Sequence, residues 1–225
     1  MFRKVGNHAL SLFFGVIFLG SLFGQSLTGL ALYNEEQLEH GSPSLSYLDF
    51  ITSSDFIVDV AENWQSEYLQ FFLFIIATIW LVQKGSTESK LPGDDGLGTD
   101  QEQLVGRFAK RNSPAWAKVT GWRQVVYSNS LLMVMGAIFL LSWLAQSLAG
   151  VVVYNEEQTQ HGQPTVDWLG YLASSDFWNR TLQNWQSEFL AVGSMVAFTI
   201  YLRQRGSPQS KPVGTPHDET AAESE

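Results

Sequence analysis

Two stretches of this chain, residues 5–32 and 127–153, contain no Asp, Glu, Lys or Arg. Each exceeds the roughly 20 apolar residues that a helix needs to cross the hydrocarbon of a bilayer. Such runs leave few folds open, because inside lipid every backbone N–H and C=O must be bonded internally, in helices or closed barrels. The apolarity is continuous rather than alternating, so helices are predicted. Whole-chain averages hide this. A length of 225 residues with 45% hydrophobic content and a net charge of −9, at mean hydropathy −0.02, would suit an ordinary soluble protein. The absence of cysteine excludes a disulfide framework and all thiolate chemistry. An acidic balance without a long basic tract excludes nucleic acid as the expected partner.

The second constraint is internal repetition. Tyr33-Asn34-Glu35-Glu36-Gln37 returns as Tyr154-Asn155-Glu156-Glu157-Gln158, a shift of 121 positions. The same shift carries His40-Gly41, Ser53-Ser54-Asp55-Phe56 and Asn63-Trp64-Gln65-Ser66-Glu67 onto their second copies, with 29 identities in 62 ungapped positions across residues 25–86. Each unit reads as two spanning helices joined by a long connection. The expected helices cover about 7–40, 54–83, 128–161 and 175–204. Short amphipathic segments at 45–52 and 165–173 carry Tyr47, Phe50, Trp168 and Tyr171, aromatics that suit a membrane interface. Arg3-Lys4 before an apolar run also resembles a signal peptide. The run is longer than the usual 7–15-residue signal core, and its second copy lies in mid-chain, so a retained helix is expected.

The fold expectation is therefore all-α: an integral membrane four-helix bundle of two tandem, parallel-topology hairpin repeats. Its parts are repeat 1 (1–86), a linker (87–124), repeat 2 (125–206) and an acidic tail (207–225) expected to be disordered. Of 13 basic residues, none lies in 33–63 and only Arg180 lies in 154–184. The positive-inside rule then places both termini and the linker in the cytoplasm of an inner-membrane protein. The linker begins as a Gly- and Asp-rich tether over 87–103. It continues with Arg107, Lys110, Arg111, Lys118 and Arg123 among Phe108, Trp116 and Trp122, a pattern read as contact with anionic lipid in preference to RNA.

The order Gln-Ser-Leu-x-Gly, Tyr-Asn-Glu-Glu-Gln, His-Gly, Asn-Trp-Gln-Ser-Glu resembles a family of small bacterial multi-pass membrane proteins of unknown function. So does the ending Arg205-Gly206-Ser207-Pro208-Gln209-Ser210-Lys211-Pro212. The resemblance implies a membrane location and carries over no functional residue.

Chemistry has few places to sit. Ser21, Gln25, Gly29, Tyr33, Glu36 and His40 share one helical face within about 120° of arc, and Ser142, Gln146, Gly150, Tyr154, Glu157 and His161 repeat it. Gln25 and Gln146 are read as an intramembrane polar pair, with Gly20, Gly24 and Gly29 allowing close packing. Only 16 residues separate Glu67 from Lys84, and 14 separate Glu188 from Arg203, roughly 24 and 21 Å of helix, so both carboxylates belong near the outer boundary of a roughly 30 Å core. The expected outer polar cluster is Tyr33, Asn34, Glu36, His40, Asn63 and Glu67 with Tyr154, Asn155, Glu157, His161, Asn184 and Glu188. It is either a structural lock or a functional site. Glu36, His40, Glu67, Glu157, His161 and Glu188 hold the ligand types of a carboxylate-bridged metal pair, although the spacing departs from Glu-x-x-His. No nucleophile elbow, phosphate loop or His-Glu-x-x-His is present, and no catalytic residue or cofactor is expected. The leading functional reading is a non-enzymatic accessory or envelope-associated membrane component acting through lipid or a membrane-protein partner. A small transporter or channel subunit working as a homo-oligomer is the alternative, and a metal-dependent membrane enzyme the third.

Overall fold

The computed structural model describes residues 7–220. Arg3 and Lys4, and residues 221–225 of the acidic tail, lie outside the described residues. Among the described residues the fold is all-helical: α1 (Ala9–Glu39), α2 (Tyr47–Ile51), α3 (Ser54–Trp80), α4 (Trp122–Ser128), α5 (Ser130–Gln160), α6 (Trp168–Leu172) and α7 (Ser175–Tyr201), with two 3₁₀ turns in the linker. α1 and α5, 31 residues each, contain 18-residue windows of mean hydropathy 1.8 and 2.0 and are long and apolar enough to cross a membrane. α3 and α7, 27 residues each, have the length but a weaker apolar signal. Asn63–Glu67 and Asn184–Glu188 sit near their middles and interrupt it.

Packing divides the chain into two units. One comprises Met1–Ala61 with Ala145–Leu172, the other Glu62–Leu144 with Ala173–Glu225.

In the first unit both connections fold the same way. α1 ends where Gly41 turns left-handed (φ 71) and the Ser42 N–H reaches back to the Gln37 carbonyl at 2.8 Å. α5 ends likewise at Gly162 (φ 66), with Gln163 N–H on Gln158 O at 2.7 Å. This is the six-to-one bond of a glycine helix stop. Beyond the turn, the Asn34 side chain holds both backbone groups of Leu45, accepting from its N–H at 2.7 Å and donating to its carbonyl at 3.1 Å. Asn155 holds Val166 identically, both bonds being 2.8 Å. The bracket satisfies loop backbone that a helix ladder cannot reach. It also seats the short helices: the Tyr47 hydroxyl shares a 2.9 Å hydrogen bond with Ser26 Oγ, and the Trp168 indole N–H donates to Ser147 Oγ at 3.1 Å.

Phe50 and Tyr171, expected among the aromatics of a membrane interface, turn their rings into the protein. They are 3% and 0% exposed, pressed on the glycine faces of α1 at Gly29 and of α5 at Gly150. Gly29 thus admits a ring from its own connection, while Gly20 and Gly24 have no neighbour within 4 Å of a built Cβ.

In the second unit α3 and α7 stop about three residues earlier than predicted, because distant side chains take over their last backbone groups. Gln83 N–H donates to Ser89 Oγ at 2.7 Å, and Gln204 N–H to Ser210 Oγ at 2.8 Å. Gly96 N–H caps the Ile79 carbonyl at 2.7 Å. At the shifted position His217 Nδ1 lies 3.1 Å from the Ile200 carbonyl. Arg203 donates to the Thr199 and Ile200 carbonyls at 3.2 and 3.0 Å. Lys90 Nζ donates to Gly96 O. Lys211, 2% exposed, donates to the carbonyls of Pro216, His217 and Glu219 at 3.1, 3.1 and 2.7 Å. Residues 207–220 are therefore a folded loop rather than the disordered tail expected there: a buried ammonium is stable when carbonyl oxygens replace its water.

The tether is similarly organised. Thr99 and Glu102 exchange hydrogen bonds in a capping-box pattern. The Thr99 N–H and then its hydroxyl hold the Glu102 carboxyl below its ordinary range.

Candidate functional site

The polar residues singled out in the sequence separate into two sets, one in each unit. In the first, Asp55, Glu156 and Glu36 lie near enough to Tyr33 to act on it electrostatically. Tyr33 packs on Phe50 with ring centroids 5.7 Å apart, and Tyr154 on Tyr171 at 5.5 Å. Asn34 and Asn155 spend their amides on loop backbone rather than on a carboxylate. Glu36, His40, Glu157 and His161 are exposed at the helix ends, and His161 Nδ1 lies 2.9 Å from the Glu157 carbonyl. The stripe is not uniformly inward. Gln146 is fully buried and Ser142 7% exposed, whereas Gln25 is half-buried and Ser21 exposed.

In the second unit the polar faces of α3 and α7 enclose a cleft of about 340 Å³, lined by Glu62, Asn63, Asp176, Asn179, Arg180, Gln183 and Asn184. Arg180 is its centre of charge, with Nη1 3.6 Å from Glu62 and Nε 3.2 Å from Asp176 one turn back on α7. The Asn184 amide donates to the Arg180 carbonyl at 3.0 Å. One turn further along α3, Gln65 is 0% exposed and accepts the Trp185 indole N–H at 2.8 Å. Sequence reasoning missed Gln65 and Arg180 as site residues. Arg180 had a signal, as the one basic side chain in either connection. Gln65 had none, since its repeat mate Gln186 is exposed.

Glu67 and Glu188 are electrostatic neighbours, with Glu67 exposed and Glu188 half-buried. Like charges at an exposed position stabilise nothing, so Glu67→Gln is expected to leave thermal stability within about 0.5 kcal/mol of the parent. A calorimetric loss beyond about 1.5 kcal/mol would restore the buried-lock expectation. Among the described residues, no group of three or more His, Asp or Glu side chains is placed to hold a metal ion.

A family model described as "Domain of unknown function (DUF6766)" matches residues 1–222, and the chain belongs to that family. No curated protein and no solved structure matches it.

Proposed function

We propose that this family member is a multi-pass inner-membrane protein built from two parallel hairpin repeats. Its termini and linker are cytoplasmic, and it works without catalysis as an accessory or envelope-associated component through lipid contact. The observation that carries the reading is the outward apolarity of α1 and α5: only 6% and 17% of their most apolar windows are buried within the chain. Phe13, Phe14 and Val16 are 59%, 60% and 70% exposed, and Leu140 and Leu141 59% and 66%. Continuous surfaces of this kind are covered by lipid or by a partner. Exposed apolar side chains along α3 and α7, including Phe71, Ile76, Leu190 and Phe198, support their inclusion in the bundle.

The linker supplies the lipid grip. Trp116 and Trp122 meet edge to face at 5.8 Å and stay 42% and 66% exposed. Arg107, Lys110, Arg111, Lys118 and Arg123 are all exposed around them, with Arg123 lying over the Trp122 ring at 5.5 Å. Indoles seat at headgroup depth, and each base adds about 1 kcal/mol near anionic lipid.

The absence of native cysteine makes labelling clean. A cysteine at exposed Ser44 should react with an impermeant maleimide in intact cells, and one at exposed Asn112 only after permeabilisation. The reverse pattern would overturn the topology. In reconstituted protein, a spin label at Val119→Cys should sit at headgroup depth in anionic vesicles and move toward water in neutral vesicles at high salt. Equal depth in both would remove the electrostatic half of the reading.

A further inference from the structure

The cleft between α3 and α7 is where the two repeats differ in chemistry. Glu62 and Asn63 face their own repeat mates, Gln183 and Asn184, across it. Asn179 and Arg180, by contrast, stand at the positions that hold Val58 and Asp59 in the first copy. An amide has replaced an apolar residue and a cation has replaced an anion, both on this wall.

The lining selects among ligand classes by elimination. No apolar side chain lines the cleft, which removes the hydrophobic surface that most small-molecule pockets use. A simple anion gains little, because Glu62 and Asp176 at 3.6 and 3.2 Å already neutralise Arg180 and leave a net charge of −1 on the walls. A metal ion is disfavoured because the Arg180 guanidinium already occupies both carboxylates, and among the described residues no group of three or more His, Asp or Glu side chains is placed to hold one. What the walls offer in quantity is dipolar: the side-chain amides of Asn63, Asn179, Gln183 and Asn184, a group type that donates through nitrogen and accepts through oxygen. Asn184 already gives one N–H to the Arg180 carbonyl, and the amides stand around a guanidinium held by Glu62 and Asp176. A ligand dense in hydroxyl groups presents the matching array of paired donors and acceptors.

We propose that this cleft binds a neutral, hydroxyl-rich carbohydrate, held by the amides of Asn63, Asn179, Gln183 and Asn184 around the Arg180 fork. A volume of about 340 Å³ lies at the small end of ligand pockets, roughly 300–1,000 Å³, and fits a mono- or disaccharide unit. In the topology proposed above the cleft opens on the outer face, where envelope glycans are met. The binding itself does not depend on that orientation.

The test uses the full chain in a detergent without a sugar headgroup, because a maltoside would occupy the site. Saturation-transfer NMR would be run with maltose and N,N′-diacetylchitobiose, and with inorganic phosphate and phosphoethanolamine as the charged comparisons. A saturable response to at least one disaccharide is expected. Asn179→Ala and Gln183→Ala, both at exposed side chains, should each weaken it about five-fold, the worth of one hydrogen bond, with the helical circular dichroism unchanged. The absence of a saturable disaccharide response would overturn the proposal. So would a response to phosphate or phosphoethanolamine in its place, or disaccharide binding indifferent to both substitutions. The topology fails or stands on the maleimide pattern alone, so the two outcomes are separable.

Discussion

Gly150→Ala is expected to destabilise the protein even though it improves the intrinsic helix propensity of α5 by about 1 kcal/mol. A Cβ built on Gly150 falls 2.9 Å from Cε1 and Cζ of Tyr171 and collides with its hydroxyl. The Tyr171 side chain is 0% exposed and backed by Tyr154, so the ring has nowhere to retreat. Overpacking of this kind costs about 1–3 kcal/mol, which exceeds the propensity gain. The first repeat supplies its own control. There the ring is Phe50, without a hydroxyl, at 3.0 and 3.2 Å from a Cβ on Gly29, so Gly29→Ala should be much milder. Combining Gly150→Ala with Tyr171→Phe reproduces in the second repeat the Gly29→Ala variant of the first, and the two changes should couple by at least about 1 kcal/mol in a double-mutant cycle. Thermal unfolding followed by circular dichroism reads all four proteins. A Gly150→Ala variant more stable than its parent would show that the ring does not sit where it is described.

That contact also shows which parts of the fold were legible. The ends of α1 and α5 were readable to within one or two residues, because Gly41 and Gly162 mark left-handed stops that depend on local sequence alone. The ends of α3 and α7 were not. Trp80 and Tyr201 stop their helices because Ser89, Ser210 and Arg203 satisfy the backbone there, and nothing in the local propensity announces a partner six residues downstream. The composition of the outer cluster was legible, but its partners were not. Asn34 and Asn155 are recognisably committed side chains, yet a side chain that brackets a loop and one that meets a carboxylate look the same in sequence. Periodicity likewise placed Gly29 on a close-packing face without saying that the approaching group is a ring from the adjoining connection. The Arg180 cleft shows the reverse. A comparison of the two copies position by position would have found it, since an alternating charge sign at a repeated position is visible without coordinates.

Trp185→Phe is expected to cost more than Gln65→Leu, although the first is the gentler change in shape. Gln65 is 0% exposed. Its Oε1 accepts the Trp185 indole N–H at 2.8 Å, while its Nε2 meets no acceptor among the described residues. Removing the indole N–H strands the carbonyl of an amide whose other end is already unpaired, at about 1–3 kcal/mol for a buried polar group left without a partner. Gln65→Leu removes the whole unsatisfied amide and leaves only an indole N–H on a half-buried ring, which can turn to water or a lipid headgroup. Its expected cost is within about 1 kcal/mol. The decisive protein is the double variant. With both polar partners replaced by apolar groups of similar size, most of the Trp185→Phe loss should be recovered, because the penalty belongs to the stranded carbonyl rather than to lost contact area. Thermal midpoints of the four purified proteins in one detergent give the cycle. Simple addition of the two single losses would mean that Gln65 finds another donor when the indole is gone, and that the bond does not anchor α7 to α3.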